Sequence, residues 1–368
     1  MNRKNNLDFL RFMAAALVIY GHGQVLLGLQ PSTIIGISIH VLGVQIFFGI
    51  SGYLISASWQ RQQSITIFLA NRALRIFPAL ICIVILSALV LGPLVTSLSF
   101  REYTTNIHFF YYFRNCVLYT SYNLPGVFND NFYKYAVNGS LWSLAPEFFC
   151  YVTVAFVGLV TRGRSAIFLF ILLFCIFTLT ICLHPYYIEK QTVIYATDLV
   201  QASNVIIYFM LGAIFQRIRV VFKKSVSVLL IILCLFLPYI TTTPVLTMCL
   251  YAVMVTYVAL NFGLSTTPIL NNWGKYGDFS YGMYLSSFPI QQLLIYLTNN
   301  KTHSLLLIIS TLILSILYGI ISWHYVERIA LKMKPQRGEL GSNGTDKVFF
   351  ENSNALLKGV YSDSTGLS

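Results

Sequence analysis

Arg11 and His22 lie in one apolar stretch, LDFLRFMAAALVIYGHGQVLLGL, with ten residues between them. Eleven helical steps of about 100° come within roughly 20° of three full turns, so the two side chains share one face, about 16 Å apart along the axis. Ionisable groups are costly inside a bilayer and normally face protein or water, where they mark a functional path. The imidazole is the side chain most readily poised as a base near neutral pH, and the guanidinium grips carboxylate or phosphate oxygens in a fixed fork. Each residue also has an ordinary reading: a histidine hydrogen-bonded between helices, and an arginine snorkelling to a charged surface. Asp8, three residues before Arg11, stands at the spacing of a helix-surface ion pair. Gly21 and Gly23 flank His22, leaving room around the ring and allowing close approach of a neighbouring backbone.

Three further stretches carry polar groups where a membrane should exclude them. NRALRIFPAL puts Arg72 and Arg75 three apart on one helical face, at the start of a span. Two guanidinium groups so placed can hold phosphate oxygens bidentately, although topology alone also favours arginines there. NGSLWSLAPEFFCY, residues 138–151, puts Glu147 just inside a span with Ser143 four residues earlier on the same face. A carboxylate there could orient an imidazole and stabilise its cation as it takes a proton from a hydroxyl. It is equally a helix-start carboxylate favoured by the dipole. YGDFSYGMYLSSFPI places Ser280, Tyr281, Tyr284, Ser286 and Ser287 ahead of Pro289, which suits either a polar cavity lining or ordinary hydrogen bonds between helices. GVQIFFGISGYLIS supplies Gly49, Ser51 and Gly52 for close helix packing. The seven cysteines form no CxxC or His/Cys cluster with ligand spacing, so no metal is expected.

The elements that must position these groups follow from composition. The chain has 368 residues, 57% apolar and 10% charged, with a mean hydropathy of +0.71; a soluble chain carries about a quarter charged residues. The pattern predicts an all-α fold, a polytopic transmembrane helix bundle of about ten spans. They fall near 9–29, 37–57, 76–96, 141–160, 165–183, 201–217, 226–240, 244–262, 279–298 and 303–324. The long apolar runs exclude a β-barrel. With the N-terminus inside, the outer segments hold only Arg101, Arg114, Lys134, Lys190 and Lys301 of the 24 Lys and Arg. This is the positive-inside asymmetry, and it puts both termini in the cytoplasm. It also accounts for the net charge of +12 without nucleic acid as a partner.

The first stretch lacks a small-residue cleavage site and reads as a retained anchor. An aromatic connection at 97–140 falls outside, with a membrane-lying segment expected at 103–119, either resting on the bilayer or covering a site. Residues 1–335 are expected to form one membrane domain, and 336–368 a polar, flexible cytoplasmic tail. No internal repeat of fixed period is visible, contrary to a transporter built from duplicated halves.

Taken in order, these stretches resemble the acyltransferase-3 family of integral membrane acyltransferases, which modify surface polysaccharides and related molecules. LDFLRFMAAALVIYGH matches its Arg-x10-His signature at Arg11 and His22; GVQIFFGISGYLI matches its second span; NRALRIFPAL matches its arginine pattern. SLWSLAPEFFCY matches at Ser143 and Glu147, and SYGMYL and the closing YVER, with Glu327, complete the order over roughly residues 7–335. The resemblance implies acetyl-CoA or another short acyl-CoA as cytoplasmic donor. It implies a hydroxyl on a glycan or lipid-linked saccharide as acceptor, and a multi-pass place in a bacterial cytoplasmic (inner) membrane. Arg11, Arg72 and Arg75 would hold the CoA phosphates. His22 would act as general base with Glu147 orienting it, or would carry the acyl group itself. Asp8, Ser143, Tyr281 and Ser287 would support the site. Family members often carry a histidine where this chain has Ser287. The rival reading is a transporter or flippase for a lipid-linked saccharide.

Overall fold

A computed structural model describes residues 5–161, 166–187, 192–240 and 243–335. The expected flexible tail, 336–368, lies outside the described residues. Among the described residues ten long helices overlap the ten expected positions, the third starting well before its own: α1 Leu7–Leu26, α2 Ile39–Gln62, α3 Ile65–Leu86, α4 Leu144–Thr161, α5 Ala166–Tyr187, α6 Leu199–Arg217, α7 Lys224–Ile240, α8 Pro244–Leu264, α9 Ser280–Leu297 and α10 Ser304–Ser322. Among the described residues the strands are two short hairpins, Thr33–Ile34 with Ile37–Ser38 and Val193–Ile194 with Thr197–Asp198. Among the described residues eight helical segments are long and apolar enough to cross a bilayer. The other two long helices are α7, whose apolar part is shorter, and α9. α9 needs no apolar coat because it is an interior helix: Ser280, Ser286, Ser287, Gln291 and Gln292 on it are all buried, packed against α1 and α10.

The third span differs from its sequence reading. Its helix starts at Ile65 and runs to Val95, so Arg72 and Arg75 lie about two to three turns into it. Hydropathy hid this because Asn71, Arg72 and Arg75 interrupt the apolar run, while no breaker stands between Ile65 and Ile76. Near its outer end the helix widens into a π-turn, Ser87–Leu91. The Tyr103 hydroxyl donates to the Ala88 carbonyl at 2.7 Å. A second π-turn, Trp323–Glu327, continues α10 and buries Glu327; such turns are frequent at functional sites.

The small residues of the second span do the packing expected of them. α2 lies against α6 with Gly52 on the backbone carbonyl of Phe209 and Gly212 on that of Gly49. Close approach of this kind is how helices associate without a hydrophobic driving force. A Cβ at position 52 would overlap the Phe209 carbonyl, whereas one at position 49 would meet only Thr256 Cγ2 at 3.4 Å. Gly52→Ala should therefore destabilise the bundle by about 1–3 kcal/mol, as overpacking does, and Gly49→Ala by far less. Thermal unfolding of the two variants in detergent checks the contrast.

The outer connection folds into short helices, Phe100–Thr105 and Ile107–Tyr112, then a loop tied to α9. Asn131 Nδ2 donates to Gln292, whose own amide donates to the carbonyls of Tyr133 and Ala136 at 2.8 and 2.7 Å. Ile107 and Phe110 on the second short helix, and Val117 just beyond it, are exposed, the kind of apolar surface that a membrane-lying segment presents. Asp8 and Lys334 line one opening, so both ends of the described chain reach the same face of the bundle.

Candidate active site

The face that gathers the chain ends holds a charged mouth. Arg11 Nη1 lies 3.3 Å from Asp8 and 3.4 Å from Asp278. Arg75 reaches Asp278 with one amino group at 2.5 Å and Glu327 with the other at 3.1 Å. Burial opposes ionisation of Asp278, but the guanidinium groups of Arg75 and Arg11 and the hydrogen bonds from Ser280 outweigh it, holding its carboxyl below the usual range. The expected Asp8–Arg11 pair is present. Arg72 and Arg75 differ in their partners: both Arg75 amino groups are engaged by carboxylates. Among the described residues no carboxylate pairs with Arg72, and its buried Nε has no hydrogen-bond partner.

Arg11, Arg72 and Arg75 line both this mouth and a deeper chamber of about 150 Å³. Inside the chamber Glu147 Oε1 accepts hydrogen bonds from the hydroxyls of Tyr151 (2.5 Å) and Ser51 (3.4 Å). Ser143 Oγ and the Tyr284 hydroxyl are 2.7 Å apart, and the Tyr281 hydroxyl donates to the Ile76 carbonyl at 2.8 Å. Three arginines at the neck and five hydroxyls beyond it suit an anionic group held outside with a polar, uncharged arm drawn inward.

His22 lies elsewhere. It lines a cleft of about 670 Å³ under the outer loop, with His40, Tyr122, Tyr133, Trp142 and Gln201. Its ring meets His40 at 5.3 Å and the edge of Phe288 at 5.4 Å, and its buried Nδ1 has no hydrogen-bond partner. Gly21 makes room for His40, since a Cβ there would collide with it. Val44 lines both chamber and cleft, so the two spaces meet across a thin layer. His22 and Glu147 share no cavity and no contact, so the carboxylate does not orient this imidazole. Their helix positions allowed the meeting; Val44 on α2 intervenes. Ser287 lines neither space: it is fully buried and its hydroxyl donates to the Tyr284 carbonyl within its own helix. The residue of α9 that reaches His22 is Phe288.

Sequence reasoning passed over His40, Asp278 and Tyr151. His40 carried the same signal as His22, an ionisable group at the edge of an apolar run. Tyr151 stands four residues after Glu147, one turn along the same face. Asp278 had no local charge signal, because its cationic partners come from α1 and α3.

The acyltransferase-3 family model, an acyltransferase domain, matches residues 4–323. The chain is 28% identical over 345 residues to an O-acetyl transferase of Shigella phage Sf6, covering 89% of this chain and 96% of that protein. It is 31% identical over 169 residues to nodulation protein 10 of Rhizobium leguminosarum bv. viciae, covering 41% of this chain and 43% of that protein. No solved structure matches it.

Proposed function

The chain belongs to the acyltransferase-3 family, and from that premise we propose that it is a multi-pass O-acetyltransferase of a bacterial cytoplasmic membrane. It moves a short acyl group, acetyl as in the phage relative's name, from acyl-CoA to a saccharide hydroxyl. One observation carries the reading: a single bundle holds an arginine-ringed chamber open to one face and a histidine-bearing aromatic cleft under the outer loop, meeting at Val44. The excess of Lys and Arg on the face of the mouth makes that face cytoplasmic, the side on which acyl-CoA is made.

In this scheme the CoA phosphates rest at the mouth on Arg72, with Arg11 beside it, and Arg75 holds the wall through its two carboxylates. The pantetheine arm enters the chamber. Glu147 fixes the Tyr151 and Ser51 hydroxyls there, a positioning role on the donor side. The thioester meets the acceptor across the layer at Val44. The sugar oxygen forms the new C–O bond at the thioester carbonyl carbon while its proton passes to His22. The C–S bond breaks, and the CoA sulfur leaves and takes that proton from His22. The ester remains on the sugar.

Proteoliposomes holding the purified chain, supplied with acyl-labelled acetyl-CoA on the side of the mouth and glycan on the other, test the reading. Label is expected on the glycan, with free CoA released in equal amount. Movement of a lipid-linked saccharide without label would replace acyl transfer by the transporter reading.

A further inference from the structure

The His22 cleft continues into a second arm of about 610 Å³ between the outer ends of α2, α6 and α8. Val41, Trp142 and Gln201 line both arms and form the junction. Each arm alone falls within the size range of a complete small-molecule site, about 300–1,000 Å³, so a single sugar at His22 leaves the second arm open.

Its lining has a specific chemistry. Ser38, Gln45, Gln201, Asn204 and Thr247 present amides and hydroxyls beside the rings of Trp142, Tyr208 and Tyr251, and no charged side chain lines it. Gln45 decides between occupants. It is 6% exposed, and its Oε1 is buried with no hydrogen-bond partner. A buried amide oxygen left unpaired costs about 1–3 kcal/mol, and a hydrocarbon chain filling the arm would leave it so. A hydroxyl-rich ligand would satisfy it, while its C–H faces lie on the aromatic rings. An anionic ligand would find no cation in this arm.

We propose that the second arm binds the neighbouring, uncharged sugar of the acceptor, so that the enzyme acts on a saccharide chain bent around Trp142 and not on a free monosaccharide. The inference rests on the acyl-transfer reading and adds the class and length of the acceptor to it. Gln45 and Asn204 then select the neighbour, and the His22 arm takes the sugar that is acylated.

The test uses the full chain in proteoliposomes with labelled acetyl-CoA and neutral oligosaccharides of one to about six sugars cut from the host surface glycan. For the unaltered chain, KM should fall as the acceptor lengthens from one sugar to two or three, then level. Gln45→Leu, and separately Asn204→Ala, should raise KM for the longer acceptors about tenfold, the worth of one lost hydrogen bond. Neither should move KM for the single sugar or for acetyl-CoA. Asn204→Ala guards against misfolding, since that amide bonds only the Val200 carbonyl of its own helix. A KM independent of acceptor length, or an equal loss on single and longer sugars, overturns the inference while leaving acyl transfer standing. No label on any acceptor from the unaltered chain overturns acyl transfer itself.

Discussion

His22→Ala should abolish acyl transfer while the protein stays folded in the membrane in normal amount. The ring is held by contacts with the His40 and Phe288 rings and not by hydrogen bonds through its buried Nδ1, so its loss removes little that the fold depends on. What goes is the acceptor's proton carrier, and general base catalysis contributes about 10²–10⁴-fold to a rate. His22→Gln keeps a hydrogen-bonding side chain of similar reach but cannot exchange a proton near neutral pH, so it should be as inactive as the alanine variant. His40→Phe keeps an aromatic neighbour against His22 and should retain most activity, since the proton passes to His22 and not to His40. Label on the glycan, normalised to the membrane content of each variant, is the measurement. Near-normal acylation by His22→Ala would remove His22 from the mechanism. Incubation with labelled acetyl-CoA and no acceptor separates the two chemistries open to an imidazole: label retained on His22 would make it an acyl carrier, and its absence with intact turnover supports the base.

Most of the helices were legible because they rest on a local pattern: an apolar run of spanning length, broken by turn residues or charge. The shared face of Arg11 and His22 was legible for the same reason, being fixed by helix geometry alone. What escaped depends on how helices dock. Asp278 and Glu327 meet Arg75 across sequence separations of 203 and 252 residues, and no spacing rule reaches that far. Glu147 and His22 sit at depths where they could have met, but Val44 on α2 stands between the spaces they line. Ser287 shows the limit from the other side. Its place in the motif drew attention, yet its hydroxyl turns back to its own helix and its neighbour Phe288 faces the imidazole. Arg72 and Arg75, alike in sequence, differ only through partners brought by α9 and the π-turn after α10.

That difference yields opposite outcomes for the same substitution. Arg75→Met leaves Asp278 and Glu327, whose side chains are 13% and 2% exposed, without their common cation. Removing one partner of a buried ion pair costs about 3–5 kcal/mol, because the charge left behind is uncompensated. Such a loss is a large share of a typical folding free energy, so Arg75→Met should fail to accumulate or unfold at a much lower temperature in detergent. Neutralising both carboxylates as well, with Asp278→Asn and Glu327→Gln, should restore much of that stability without restoring a cation. Acid acts on the same network: Asp278 is held below its ordinary range, so its stabilisation is complete above the unfolded carboxylate pKa of about 3.9 and is lost as pH falls through the folded value. Arg72→Met removes no ion pair, and the thermal midpoint should barely move. Its effect should fall on the donor, with KM for acetyl-CoA rising about 10- to 100-fold, the worth of a charge-assisted hydrogen bond, and the acceptor KM unchanged. Equal destabilisation by the two substitutions would mean that Arg72 is another brace of the mouth, and the phosphate site would then have to be sought outside this ring.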